Sequence, residues 1–179
     1  MMRHKQRRKE FYYIDMPVAG WIDLFVRDPY LFKISESLKW CCEKKGMRLA
    51  EFVILPNRIA FIAGAAWGAL PHTIALFENF TSKAMMAMVR NGFKDPRKKW
   101  LTETILKYGH DLPDGSRSIW QKYHLQPILS IDTGEQKISS LYQLPVESGF
   151  VLKAEDYKYC SANRFNPLAG WLIEPTDRW

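Results

Sequence analysis

The chain has 179 residues, a formal net charge of +7, 47% apolar residues and 14% aromatic residues. These values predict one globular domain with a hydrophobic core and argue against a disordered chain. No apolar run is long enough for a membrane span and no signal peptide is visible, so we expect a cytoplasmic protein without a membrane partner. The positive charge fits a polyanionic partner without requiring one.

Hydrophobic spacing and turn residues predict a chain of alternating strands and helices. Asp28 as N-cap and Pro29 at the first helical position begin a helix that ends at Gly46. The other predicted helices are 71–90, one within 98–108, and 134–144, and the predicted strands are 11–18, 48–55, 59–63 and 125–131. This order indicates an α+β protein with a ferredoxin-like split βαβ core, an antiparallel sheet with helices packed on it.

The chain divides into a basic N-terminal arm at 1–10, a main domain at 11–165 and an irregular tail at 166–179. Five of the first nine residues are Arg or Lys, including Arg3, Arg7 and Arg8. Such an arm either contacts nucleic acid or only improves solubility.

Residues 52–63 predict two short strands that meet at Pro56-Asn57. The segment resembles one in single-tyrosine HUH transposases, where an apolar run and Pro-Asn are followed by His, an apolar residue and a second His. The resemblance implies that these two side chains hold a divalent metal, Mg²⁺ or Mn²⁺. The two positions here are Arg58 and Ala60.

Residues two apart on a strand share a face, so His-x-His would place two imidazoles side by side. Arginine has no lone pair to offer and alanine has no donor atom. The three cysteines have no CxxC spacing, and the four histidines are scattered. We therefore expect neither a metal site nor another cofactor.

The resemblance extends over about residues 11–165 and is greatest to the REP-associated tyrosine transposases. It rests on the order and spacing of several short segments rather than on one of them. These segments are Trp21–Phe25 with Arg27–Asp28, Phe80–Ser82, Ile119–Gln121, Pro145–Val151, Glu155–Tyr157 and Cys160–Ala162.

In that family, the resemblance implies, a tyrosine on a late helix attacks the phosphodiester, five residues before the proline of Asn-Pro-Val. The corresponding position here is Ser140, and Leu144 replaces the asparagine. Tyr142 lies two residues further on, which turns a helical side chain by roughly 200°. Tyr142 is therefore either a core or surface aromatic residue, which we favour, or a displaced nucleophile.

Two groups of side chains are candidates for DNA contact. Trp120, Gln121, Lys122 and His124 combine aromatic and basic groups suited to single strands, although Trp120 could instead anchor the fold. Lys83 and Arg90, seven residues apart on one helix, could both face phosphate, although the nearby Glu78 opposes this.

Arg58 is a third candidate. It could hold a DNA phosphate where relatives use a metal, because a guanidinium suits phosphate oxygens. The alternative is an ion pair with a neighbouring carboxylate.

Together these features predict a transposase-like DNA-binding protein that does not cut DNA. The expected partner is hairpin or single-stranded DNA, with a second copy of the chain as a further partner. The alternatives are an active nuclease that uses Tyr142 and a protein-interaction domain that no longer binds DNA.

Overall fold

The computed structural model of the protein describes residues 10–91 and 94–178, so the arm residues Arg3, Arg7 and Arg8 lie outside the described part. The strands are β1 (Phe11–Pro17), β2 (Met47–Leu55), β3 (Arg58–Ala65) and β4 (Leu125–Ile128). The helices are α1 (Asp28–Lys45), α2 (Leu70–Asn91), α3 (Lys98–Tyr108) and α4 (Ile131–Glu147).

The four strands form one sheet in the order β2-β3-β1-β4, and every neighbouring pair is antiparallel. The first and second strands are thus separated by the third, as expected when two βαβ units interleave. The predicted α+β, ferredoxin-like class is confirmed.

The β2–β3 hairpin closes through the two residues Pro56 and Asn57, with Leu55 opposite Arg58. Both carbonyls of this turn accept backbone hydrogen bonds of 2.8 Å from the β1–α1 connection, from Phe25 N and Val18 N respectively. The turn and the start of β3 are therefore fixed against the segment that carries Trp21.

Each face of the sheet carries its own apolar cluster because side chains alternate along a strand. On one face, residues such as Ile59 and Phe61 of β3 pack in the cluster that includes the buried residues of α1 and α2. On the other face, Ala60 and Ile62 pack with Leu141 of α4. We call these the α1–α2 face and the α4 face.

Several boundaries differ from those predicted. The N-cap of α1 is Arg27, with an extended backbone, and Asp28 is already helical, where its charge favours the helix N-terminus. Helix α4 begins earlier than predicted because the Ser130 hydroxyl accepts a hydrogen bond from Thr133 N, and it continues past Pro145.

The segment after α4 contains short 3-10 turns in its described part, and it packs closely against β2. Backbone hydrogen bonds of 2.8–2.9 Å join Ile54 N to Tyr159 O, Ser161 N to Phe52 O and Ile173 N to Leu49 O. The unpaired edge of β2 is therefore covered, which protects it from pairing with another chain. In the described part of the chain, no helix is long and apolar enough to cross a bilayer.

Candidate nucleic-acid interface

Arg58, at the start of β3, is held between a carboxylate and an aromatic ring. Its Nη1 lies 3.1 Å from Oδ2 of Asp15 on β1, and the two side chains are 24% and 28% exposed. The guanidinium carbon also lies 4.7 Å from the centre of the Trp21 ring, a cation–π arrangement. Of the two alternatives for Arg58, the structure shows the ion pair.

The hydrogen-bonding capacity of the Arg58–Asp15 pair is only partly used. Burial raises the pKa of Asp15, and Arg58 offsets this effect only in part. Asp15 Oδ1 and Arg58 Nε are both buried without a hydrogen-bond partner among the described residues. Arg58 thus retains donor capacity beyond its bond to Asp15.

Ala60 lies on the same strand face, fully buried in the cluster that contains Leu141. It occupies the second position at which the resemblance implies a metal-binding histidine, and it has no donor atom. Within the described ranges, no three His, Cys, Asp or Glu side chains converge in a way that could hold a metal ion. The residues of this strand do not fit a divalent metal.

Ser140 and Tyr142 point in different directions from α4. Ser140 is exposed, and its hydroxyl donates to the carbonyl of Gln136 at 2.9 Å. Tyr142 is half-buried, and its hydroxyl donates to Oε2 of Glu51 on β2 at 2.6 Å. Tyr142 is thus directed toward the sheet, whereas Ser140 faces solvent.

Glu51 is 1% exposed and is the centre of a buried polar cluster. Besides Tyr142, it accepts a hydrogen bond from Ser161, and its Oε1 lies 2.6 Å from Nη1 of Arg178. Burial and then the hydrogen bond to Glu51 raise the pKa of Tyr142 well above its usual range. A phenol that holds its proton so firmly is poorly prepared to act as a nucleophile.

Trp120 does not form part of an exposed DNA surface, so that interpretation is wrong. The side chain is fully buried, its Nε1 donates to Thr81 Oγ1 at 2.9 Å, and its ring stacks on Phe77. Gln121 is also engaged, because its Nε2 donates to the carbonyl of Val18 at 3.1 Å. Lys122 and His124 remain exposed.

Lys83 and Arg90 line one cleft of about 460 Å³, together with Arg117 from the loop after α3. Lys83 forms an ion pair with Asp114, and Arg117 lies 2.7 Å from Asp111. Ser82, Asn91 and Ser116 add polar groups to the lining. We call this group the cationic cleft, and its composition suits phosphate oxygens.

Glu78 does not line this cleft, although it lies on the same helix as Lys83. It is 7% exposed and accepts hydrogen bonds from Ser118 at 2.7 Å and Tyr123 at 2.9 Å. His110 Nε2 also lies 2.9 Å from its carboxylate. The expected opposition of Glu78 to DNA contact is therefore weakened, because its charge is used within the fold.

Sequence reasoning missed Asp15, Glu51 and Arg117. A signal was available for the first two, since each is the lone carboxylate of a mainly apolar strand and buried charges are paired. Arg117 lies in a loop, where no periodic pattern indicates the direction of a side chain.

No family model and no curated protein matches the sequence. Among solved structures, a REP-associated tyrosine transposase bound to a REP hairpin superposes with a TM-score of 0.57 at 13% identity, covering 99% of this chain and 93% of that one. The fold is that of a tyrosine transposase. A candidate transposase from Deinococcus radiodurans R1 also matches, with a TM-score of 0.48, 14% identity and coverage of 83% and 97%. The superposition with the TM-score of 0.57 spans nearly the whole chain, while both identities are low.

Proposed function

We propose that this chain binds hairpin or single-stranded DNA without cleaving it. The observation that carries the proposal is the pair of residues on the α4 face at which the resemblance implies metal ligands. There, Arg58 supplies a fixed positive charge, while the buried Ala60 supplies no ligand. An arginine can bind a phosphate but cannot activate a nucleophile as a metal does.

DNA binding is supported by the distribution of cations on a transposase fold. Lys83, Arg90 and Arg117 share the cationic cleft, and Lys122 is exposed elsewhere, two residues before the exposed His124. The solved transposase with the TM-score of 0.57 is bound to a REP hairpin. A folded single strand is therefore the first DNA to test with this chain.

The lack of cleavage is supported by the two residues of α4. Ser140, at the position where the resemblance implies the nucleophile, faces solvent and is bonded only to its own helix in the described structure. Tyr142 is held by Glu51 with a raised pKa. Among the described residues, Ser140 donates to a backbone carbonyl, which is not a base, and the Glu51 carboxylate that accepts from Tyr142 is buried and paired with Arg178.

The test is equilibrium binding of the full chain to a blunt DNA hairpin, measured by fluorescence anisotropy across a salt series. We expect log Kd to rise with log salt, with a slope of about 0.9 per phosphate contacted. Absence of salt-dependent binding would contradict the proposal and favour the protein-interaction domain.

A further inference from the structure

A pair of exposed aromatic rings bridges α1 and α2, on the side of the sheet away from α4. Trp40 is 42% exposed and Phe80 is 51% exposed. Their ring centres lie 6.5 Å apart and their planes are within 19° of parallel. Two different helices therefore hold two large apolar rings nearly parallel to each other at the surface.

The rings border a cavity of about 360 Å³ whose other lining residues are Lys33, Glu36 and Ser37. The Ser37 hydroxyl is already bonded to the carbonyl of Lys33, at 2.7 Å. The open side of the cavity is therefore mainly apolar ring surface, with charge at its rim.

Two lysines and one glutamate lie beside the rings. Lys45 Nζ lies 5.0 Å from the centre of the Trp40 ring, and Lys33 lines the cavity. Glu36 is the acidic group of the lining, and Lys33 pairs with it at 2.9 Å. A flat apolar surface with a flanking cation is complementary to a ligand that has an aromatic face and a negative charge.

We propose that the Trp40–Phe80 pair is a stacking site for an unpaired nucleobase of a single-stranded segment next to a bound hairpin. Every base has a π-face, and stacking on aromatic side chains together with cationic contacts to the backbone is how proteins hold single strands without reading sequence. Lys45 supplies the cation beside the rings, because Glu36 offsets the charge of Lys33. This inference rests on the proposed DNA binding and adds a second contact surface to it.

The test compares three DNA ligands by anisotropy with the full chain: a blunt hairpin, the hairpin with a four-nucleotide thymidine tail, and the hairpin with an abasic tail of equal length. The tail of bases should tighten binding by about tenfold, within the range for one or two stacked bases. The abasic tail should give less than half of this gain in affinity, because it keeps the phosphates and lacks the nucleobases.

Two variants locate the contact. Trp40→Ala and Phe80→Leu should each remove most of the gain from the tail and leave the affinity for the blunt hairpin unchanged. The matched control is Phe32→Ala, which removes an aromatic side chain of α1 that is 63% exposed and does not line this cavity. Circular dichroism confirms that each variant is folded.

The outcomes separate the two proposals. No binding of the blunt hairpin contradicts the proposed function. Binding of the hairpin with no gain from the tail, or an equal gain in Trp40→Ala, overturns the stacking site alone. A dimer of the free wild-type chain that Trp40→Ala dissociates, seen by sedimentation, would also overturn it, because the rings would then bind a second copy.

Discussion

The hydroxyl of Tyr142 donates a 2.6 Å hydrogen bond to Oε2 of Glu51, and Glu51 is almost fully buried on β2. The tyrosine is thus a structural partner of a buried carboxylate. Glu51 also contacts Ser161 and Arg178, from the segment that covers the edge of β2. This cluster ties α4 and the C-terminal segment to the same strand.

Tyr142→Phe should lower the free energy of unfolding by about 2 kcal/mol, because hydrogen bonds to charged groups contribute roughly 1.5–3 kcal/mol. Urea denaturation measures this change. Tyr12→Phe removes a hydroxyl bonded to Glu10 in an exposed setting and should change stability by less than about 0.5 kcal/mol. DNA affinity should be the same in both variants, and a DNA-cleaving activity that Tyr142→Phe abolishes would revive the displaced nucleophile.

Arg58→Ala should weaken hairpin binding and reduce the salt slope by about one phosphate contact. Asp15→Asn should have the opposite effect on affinity, because it removes the carboxylate that competes with phosphate for the guanidinium. Anisotropy titrations across a series of salt concentrations measure the affinity and the salt slope of both variants. Equal affinity in wild type and in the two variants would show that Arg58 serves the fold alone.

Arg90→Ala should likewise weaken hairpin binding, whereas Asp114→Asn should strengthen it by releasing Lys83 into the cationic cleft. Lys153→Ala removes an exposed lysine that does not line the cleft and serves as the control for net charge. If the lysine control loses as much affinity as Arg90→Ala, the cleft has no special role and binding follows overall charge.

Asp95 gives the protein an acid-sensitive contact between the start of α3 and α1, since the hydroxyl of Tyr30 on α1 donates to Asp95 Oδ2 at 3.4 Å. Arg97 donates to both of its oxygens, and Arg97 lowers the pKa of Asp95 below the usual range. A carboxyl group with a lowered folded-state pKa stabilises the fold above its unfolded pKa of about 4, and this stability is lost as the pH falls below that value.

The thermal midpoint of the wild type should therefore drop more steeply below about pH 4 than that of Asp95→Asn, which should be less stable at pH 7. Differential scanning calorimetry from pH 7 to pH 3 measures both. Glu103→Gln, which removes an exposed carboxylate of α3 away from the helix N-terminus, should keep the wild-type slope. Parallel curves for the wild type and Asp95→Asn would contradict this role.

The order of the elements could be predicted because hydrophobic spacing and turn residues are local signals. Pro56-Asn57 marked the hairpin, and Gly46, with φ of 69°, ended α1 as a left-handed C-cap. Ser130 was overlooked as the N-cap of α4, so that helix was predicted too short.

The candidate site could be predicted only in part, because tertiary contacts decide it. The sequence places Arg58 and Ala60 on one strand face, but the pairing with Asp15 depends on the β1–β3 register. Trp120 was ambiguous for the same reason, since an aromatic residue beside a lysine can face DNA or the core. Thr81, which accepts the hydrogen bond from Trp120, lies 39 positions away along the chain.

The central claim is that the chain binds DNA and leaves it intact. The most direct measurement incubates the full chain with end-labelled hairpin DNA carrying single-stranded flanks, with Mg²⁺ or Mn²⁺, and analyses each sample on a native and a denaturing gel. We predict a shifted complex on the native gel, with full-length DNA and no protein–DNA adduct on the denaturing gel. A cleaved strand or a covalent adduct that Tyr142→Phe or Ser140→Ala abolishes would contradict the account.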